Sequence, residues 1–300
     1  MSDDEASRAA AAPGSGIAFG LAAYGLWGVV PAYWKLLSAV PATELLAQRV
    51  LWSLGLALLL LVATGGVATW RAVLGSPRHV LPVSAAAVLL AVNWLVFIYA
   101  VATDRVLATS LGYYLNPLLN VLLGLFVLGE GLRRLQAVAV VIAAVGVGYY
   151  VFALGTLPWI SVVLAATFGL YGLVRKMAPV DPIVGFGVEM TVLSLPSAAF
   201  LALLYAMGEA QLPTGRSKVD WLVPVSGIVT AVPLICFNAA AKRLTLIAVG
   251  ILQYVAPSIA LVLAVVRYDE PFEAVHAVTF GLVWLALAIF TVDSVWLERR

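Results

Sequence analysis

Residues 107–130, LATSLGYYLNPLLNVLLGLFVLGE, and residues 247–270, IAVGILQYVAPSIALVLAVVRYDE, align without a gap at an offset of 140. Tyr114, Pro117 and Glu130 of the first stretch fall on Tyr254, Pro257 and Glu270 of the second. Each stretch opens with an uncharged apolar run of about 20 residues, and at 1.5 Å per residue such a helix crosses a hydrocarbon core about 30 Å thick. A second correspondence, Tyr24-Gly25-Leu26-Trp27-Gly28 with Phe168-Gly169-Leu170-Tyr171-Gly172, extends the repeat toward the start of each half at an offset of 144. The chain therefore reads as one unit duplicated, each copy a set of membrane spans.

The composition outside these stretches agrees. Of the 300 residues, 63% are apolar and 11% charged, whereas soluble domains carry roughly a quarter charged residues. Nearly uncharged runs occur at 17–37, 43–64, 80–101, 107–128, 135–153, 158–174, 183–206, 221–241, 246–266 and 274–293. The predicted fold class is an all-α membrane protein of ten transmembrane helices, in two five-helix repeats at 17–153 and 158–293. Residues 1–16 read as a disordered tail and 294–300 as a second tail. Connections 65–79 and 207–220 are too short for a soluble domain of ordinary size.

Five spans per copy is an odd number, so the second copy must enter the membrane from the opposite side, giving inverted topology. Eleven Lys and Arg residues fall on the side of the N-terminus and five on the other, so the bias of short loops puts both termini in the cytoplasm. Glu130 precedes Arg133 and Arg134, whereas Glu270 precedes Glu273 and no basic pair, as inversion requires. The expected location is the cytoplasmic (inner) membrane, multi-pass.

Several functions are excluded. A net charge of +2 in scattered basic residues gives no nucleic-acid footprint. Cys236 is the single cysteine, and His79 and His276 lie far apart, so no metal site and no cofactor is expected. No HExxH, GxSxG or GxxxxGK[ST] motif occurs, which argues against an intramembrane enzyme and against ATP hydrolysis by this chain.

Polar side chains within spans cost free energy in lipid and should face the interior. The charged cases are Arg49 and Glu189, also 140 residues apart; inverted topology places them in opposite leaflets. Each could guard one entrance of a central cavity, Arg49 outside and Glu189 inside. Equally weighted are structural roles: snorkelling or pairing with Asp269 or Glu270 for Arg49, and pairing with Arg175, Lys176, Lys242 or Arg243 for Glu189. The uncharged polar set is Asn93, Asn116, Asn120, Asn238 and Gln253. Interhelical hydrogen bonds explain any one of them, and together they suggest a polar cavity. Mid-span Tyr24, Trp27, Trp94, Tyr113, Tyr114, Tyr171 and Tyr254 join that set, able to stack on an organic substrate or to pack on neighbouring helices. Pro117 and Pro257 are expected to kink their helices and to free the carbonyls of Tyr113 and Gln253, either for ligand binding or within a packing kink.

The stretches YGLWGVVPAYWKLLSAVPATELLAQRVLWS (24–53), NWLVFIYAV (93–101), SLGYYLNPLLNVLLGLFVLGE (110–130), FGLYGLVRK (168–176), TAVPLICFNAAAKRL (230–244) and LQYVAPS (252–258) resemble the drug/metabolite transporter superfamily, EamA family, RarD-like branch. Asp269 departs from the branch pattern, which has glycine there as at Gly129. The resemblance implies two EamA repeats, a cavity lined largely by spans 1, 3, 4, 6, 8 and 9, and transport of small organic molecules. Taken with the inverted repeat, it leads to a secondary transporter with a small organic substrate and the lipid bilayer as partners. Coupling to a proton or ion, exchange and facilitated diffusion stay open, with Glu189 the best-placed protonatable group. A non-transporting accessory or sensor protein is the alternative. Substrate identity, direction of transport and oligomeric state are not legible.

Overall fold

The computed structural model describes residues 13–103, 105–155, 159–213, 215, 217–268 and 273–298. Among them the secondary structure is entirely helical: α1 (Pro13–Leu36), α2 (Ala42–Ala63), α3 (Val67–Leu74), α4 (Pro77–Ala102), α5 (Val106–Phe126), α6 (Arg134–Leu154), α7 (Trp159–Met177), α8 (Pro182–Met207), α9 (Ser217–Arg243), α10 (Leu246–Gln253), α11 (Val255–Tyr268) and α12 (Ala274–Glu298). Nine stretches within these helices are long and apolar enough to cross a membrane among the described residues, the unit running from α10 into α11 counting once. A lone helix satisfies its own backbone groups, which is why lipid selects this element.

The ends are set by local chemistry. Asp181 caps α8 by accepting from the Ile183 and Val184 amides, with Pro182 at the first helical position. Thr245 caps α10 through the Ala248 amide, and Gly155 and Gly208 close α6 and α8 at φ of 71° and 70°. The expected tail falls partly on residues 1–12, outside the described residues; residues 13–16 already belong to α1. The 65–79 connection carries an eight-residue helix, α3, whose Trp70 packs with Leu61 of α2 and Val184 and Val188 of α8.

Proline acts unequally at the two matched positions. The unit at 246–268 breaks at Tyr254, three residues before Pro257, where the proline ring crowds the carbonyl four residues earlier. α5 continues through Pro117 without a break. The helix assignment is thus interrupted beside one proline and continuous through the other.

Packing joins early helices to late ones. α1 lies on α9 and α11, α7 on α4 and α5, α2 on α8 and α9, α5 on α10, and α6 on α12. Small residues permit the closest crossings. A Cβ on Gly227 of α9 would sit 2.6 Å from the backbone of Trp52 in α2, and one on Gly250 of α10 would sit 2.7 Å from the Pro117 carbonyl oxygen. Gly28 of α1 receives Ile259 of α11, while Gly169 of α7 receives Leu119 of α5; Leu119 and Ile259 are again 140 apart.

Contacts define two faces of the bundle. Near the chain termini, Gly16 approaches Leu244, Glu130 meets the start of α10, and Arg133 pairs with Asp293 at 2.5 Å. This is called the terminal face. On the opposite face Glu44 of α2 accepts from the amides of Gln211 and Leu212 ahead of α9.

Candidate functional site

At the terminal face, buried charges are tied into a lock. Arg175, near the end of α7, and Glu189, two turns into α8, are each fully buried and lie 3.0 Å apart. The Tyr171 hydroxyl donates to Glu189 at 3.3 Å and accepts from Asn238 Nδ2 of α9 at 3.0 Å. Room for the guanidinium comes from Gly185, where a Cβ would lie 2.2 Å from Arg175 Nη1. Beside it, Lys176 donates to the carbonyls of Ala241 and Leu244 and stands 3.6 Å from Glu130, while Lys242 donates to the carbonyls of Lys176 and Ala178. Glu130 also accepts from the amides of Leu246 and Ile247 at 2.7 and 3.0 Å, placing a carboxylate at the positive end of α10.

Midway through the bundle, aromatic rings from α1, α7 and α9 fill the centre. Phe237 stacks on Tyr171 with centroids 5.8 Å apart and lies 5.2 Å from Phe168, 5.9 Å from Trp27 and 6.3 Å from Tyr24. Rings offset or tilted at these distances attract beyond their buried area. They form an apolar barrier between the two faces.

Toward the opposite face the surroundings change. Arg49 of α2 holds its guanidinium carbon 3.9 Å from the centre of the Trp94 ring and 5.6 Å from that of Trp34. Tyr113 of α5 is close enough to interact with it electrostatically, and Phe97 lies 6.5 Å from the Tyr113 ring. Tyr113 keeps 49% of its surface accessible, and Arg49, Trp34, Trp94 and Phe97 are all partly exposed. Since these residues face one another across α1, α2, α4 and α5, the accessible surface borders a space inside the bundle.

A fourth group links helices sideways. Asn116 donates to the Ala165 carbonyl at 2.9 Å; Asn120 donates to Asn116 and to Gln253 Oε1, both at 3.1 Å. Asn93 donates to the Leu164 carbonyl and to Thr167, both at 2.9 Å. In this conformation these amides are interhelical ties between α4, α5, α7 and α10.

The structure thus distributes the anticipated site over four places. Tyr171, Asn238 and Glu189 meet at the lock, Tyr24 and Trp27 lie in the aromatic barrier, Arg49, Trp94 and Tyr113 surround the open space, and Asn93, Asn116 and Gln253 belong to the amide ties. Tyr114 and Tyr254 join none of these. Tyr114 packs on Tyr150 and Phe280 at 5.1 and 5.4 Å, and Tyr254 donates to the Tyr114 carbonyl at 3.4 Å. Tyr113 and Tyr114 are neighbours on one helix, so they point about 100° apart and only one can face the centre. Of the partners weighed for Glu189, Arg175 is the one that pairs. Asp269 and Glu270, weighed for Arg49, lie outside the described residues. Sequence reasoning gave no site role to Trp34, Glu130 or Thr167; the signals pointing at any of them were the match of Glu130 with Glu270 and the family-like stretches 24–53 and 110–130, which hold Trp34 and Glu130.

No family model matches the chain. Curated relatives do. An uncharacterized transporter of Pseudomonas aeruginosa is 42% identical over 95% of each chain, and the protein RarD of Escherichia coli is 39% identical over 95% of this chain and 96% of its own. The uncharacterized transporter YojE of Bacillus subtilis is 39% identical over 95% of this chain and 96% of its own. A solved structure superposes with a TM-score of 0.72 at 23% identity, covering 95% of this chain and 99% of that one. That likeness concerns the fold alone.

Proposed function

The chain belongs to the RarD-like transporter family, and from that premise we propose that it is a secondary transporter moving a small organic metabolite or drug across the cytoplasmic membrane by alternating access. The observation that carries this reading is the contrast between the two faces of one bundle. A buried network of Arg175, Glu189, Tyr171 and Asn238 closes the terminal face, while Arg49 and Tyr113 border accessible space toward the other.

In this reading the chain makes ten crossings in two inverted repeats, 17–153 and 158–293, with both termini cytoplasmic. α5, with 21 residues, supplies the fourth crossing, and α10 with α11 the ninth. Reciprocal packing supports the repeat: α1 meets α9 as α7 meets α4, and Gly28 meets Ile259 as Gly169 meets Leu119. Two similar halves that exchange conformations open a central site first to one side and then to the other. The lock then faces the cytoplasm and the accessible space the exterior. Protonating Glu189 would remove the charge that Arg175 pairs with, which gives a proton gradient one route to the lock; transport indifferent to an imposed pH gradient would remove that role.

The test is flux of a mixed metabolite pool through liposomes holding only this protein, read by mass spectrometry. Saturable movement of at least one compound, absent from empty liposomes, is expected. No flux under any imposed gradient would favour a non-transporting accessory or sensor protein.

A further inference from the structure

The setting of Arg49 points beyond transport in general to the charge of what is transported. The guanidinium lies within a membrane-spanning helix, where a lone cation is costly. Among the described residues no carboxylate lies within ion-pair distance of it, the three ion pairs being Arg133–Asp293, Arg175–Glu189 and Lys176–Glu130. Its Nε is buried and has no hydrogen-bond partner. What it does have is two indole rings, Trp94 at 3.9 Å and Trp34 at 5.6 Å. Ring faces attract the cation but accept none of its in-plane N–H donors. A planar guanidinium laid against a ring therefore keeps its fork of donors directed outward from its edge, the geometry that binds a carboxylate at two points.

Comparison with the repeat-related position sharpens this. Glu189 stands 140 residues after Arg49 and has an internal counter-ion, Arg175, at 3.0 Å. Glu189 thus has a counter-ion from the chain itself, whereas no described acid pairs with Arg49. Around it the walls are aromatic and partly accessible: Trp94, Trp34, Tyr113 and Phe97. From this geometry we infer that Arg49 is the anchor of an external subsite for small organic anions, binding a carboxylate through its guanidinium and an adjoining planar or apolar group against Trp94 and Tyr113. The inference deepens the transporter reading and rests on it.

Four acid and amide pairs probe the site: benzoate with benzamide, phenylacetate with phenylacetamide, indole-3-acetate with indole-3-acetamide, and cinnamate with cinnamamide. The full-length protein in nanodiscs is equilibrated with all eight, and retained compounds are measured by mass spectrometry. At least one acid should be retained about tenfold more strongly than its amide. Arg49→Gln should abolish that preference, and Arg49→Lys, which keeps the charge but loses the fork, should preserve the preference for acid with weaker retention. Equal retention of acids and amides, retention of no acid, or an acid preference undiminished in Arg49→Gln overturns the inference. If Arg49→Gln does not yield folded protein, the wild-type preference and the Arg49→Lys result decide. Failure of the two readings is separable: flux of neutral or cationic compounds without acid retention sinks the anion subsite alone, whereas acid retention without flux sinks transport alone.

Discussion

Arg175 and Glu189 show what one buried pair demands of its surroundings. With both side chains fully buried, removing one leaves an uncompensated charge, a loss of about 3–5 kcal/mol, while replacing both with apolar groups costs far less. Arg175→Met alone should therefore lower thermal stability in detergent more than the double variant Arg175→Met, Glu189→Leu; equal losses would mean that the pair is not the unit. Gly185→Ala should behave like the single loss, because its Cβ would fall 2.2 Å from the guanidinium. At this scale the sequence was partly legible. Glu189, Tyr171 and Asn238 stand out because polar groups are rare in apolar spans. Arg175-Lys176 enters only among four possible partners of Glu189, since a basic pair at a span end reads the same whether it reaches the headgroups or folds inward. Gly185 decides, and its meaning appears only once α7 lies against α8.

The helices themselves follow from hydropathy, and their limits lie within a few residues of the uncharged runs. What hydropathy misses is how each helix treats its prolines and glycines. Pro257 accompanies a break and Pro117 does not, although the two stretches align residue for residue. One difference is external: Gly250 of α10 packs against the Pro117 carbonyl itself, whereas Gly28 of α1 packs against Ile259 and the Ala256 carbonyl beside Pro257. Glycines likewise divide by what they face. Gly227→Ala, with a Cβ 2.6 Å from the Trp52 backbone, should destabilise by about 1–3 kcal/mol through overpacking. Gly148→Ala, which meets nothing within 4 Å, should be neutral or slightly stabilising, since alanine is the better helix former. Thermal denaturation of the two variants side by side checks the contrast; equal shifts would refute the packing account.

For the whole molecule, the dominant interfaces run between the first half and the second. Neither half has much core of its own, although each is a recognisable repeat in sequence. Residues 1–156 or 157–300 expressed alone should be degraded or aggregate, and co-expression should yield a complex that purifies through a tag on either half; a stable folded half would contradict this. Whole-molecule asymmetry is also where the sequence was least informative, because offset and hydropathy treat both ends alike. Only the packed structure closes one face and leaves the other accessible.

That asymmetry is tested most directly by labelling single cysteines from each side of sealed vesicles, with Cys236 replaced by serine. Tyr113→Cys should react with an impermeant thiol reagent from the exterior. Ala240→Cys, a small change at a fully buried position two residues after Asn238 in α9, should be protected from the cytoplasmic side and become reactive when Glu189→Gln weakens the pair with Arg175. Reaction of Ala240→Cys from the cytoplasm with the lock intact, or a Tyr113→Cys unreactive from the exterior, would contradict a bundle closed at its terminal face and open at the other.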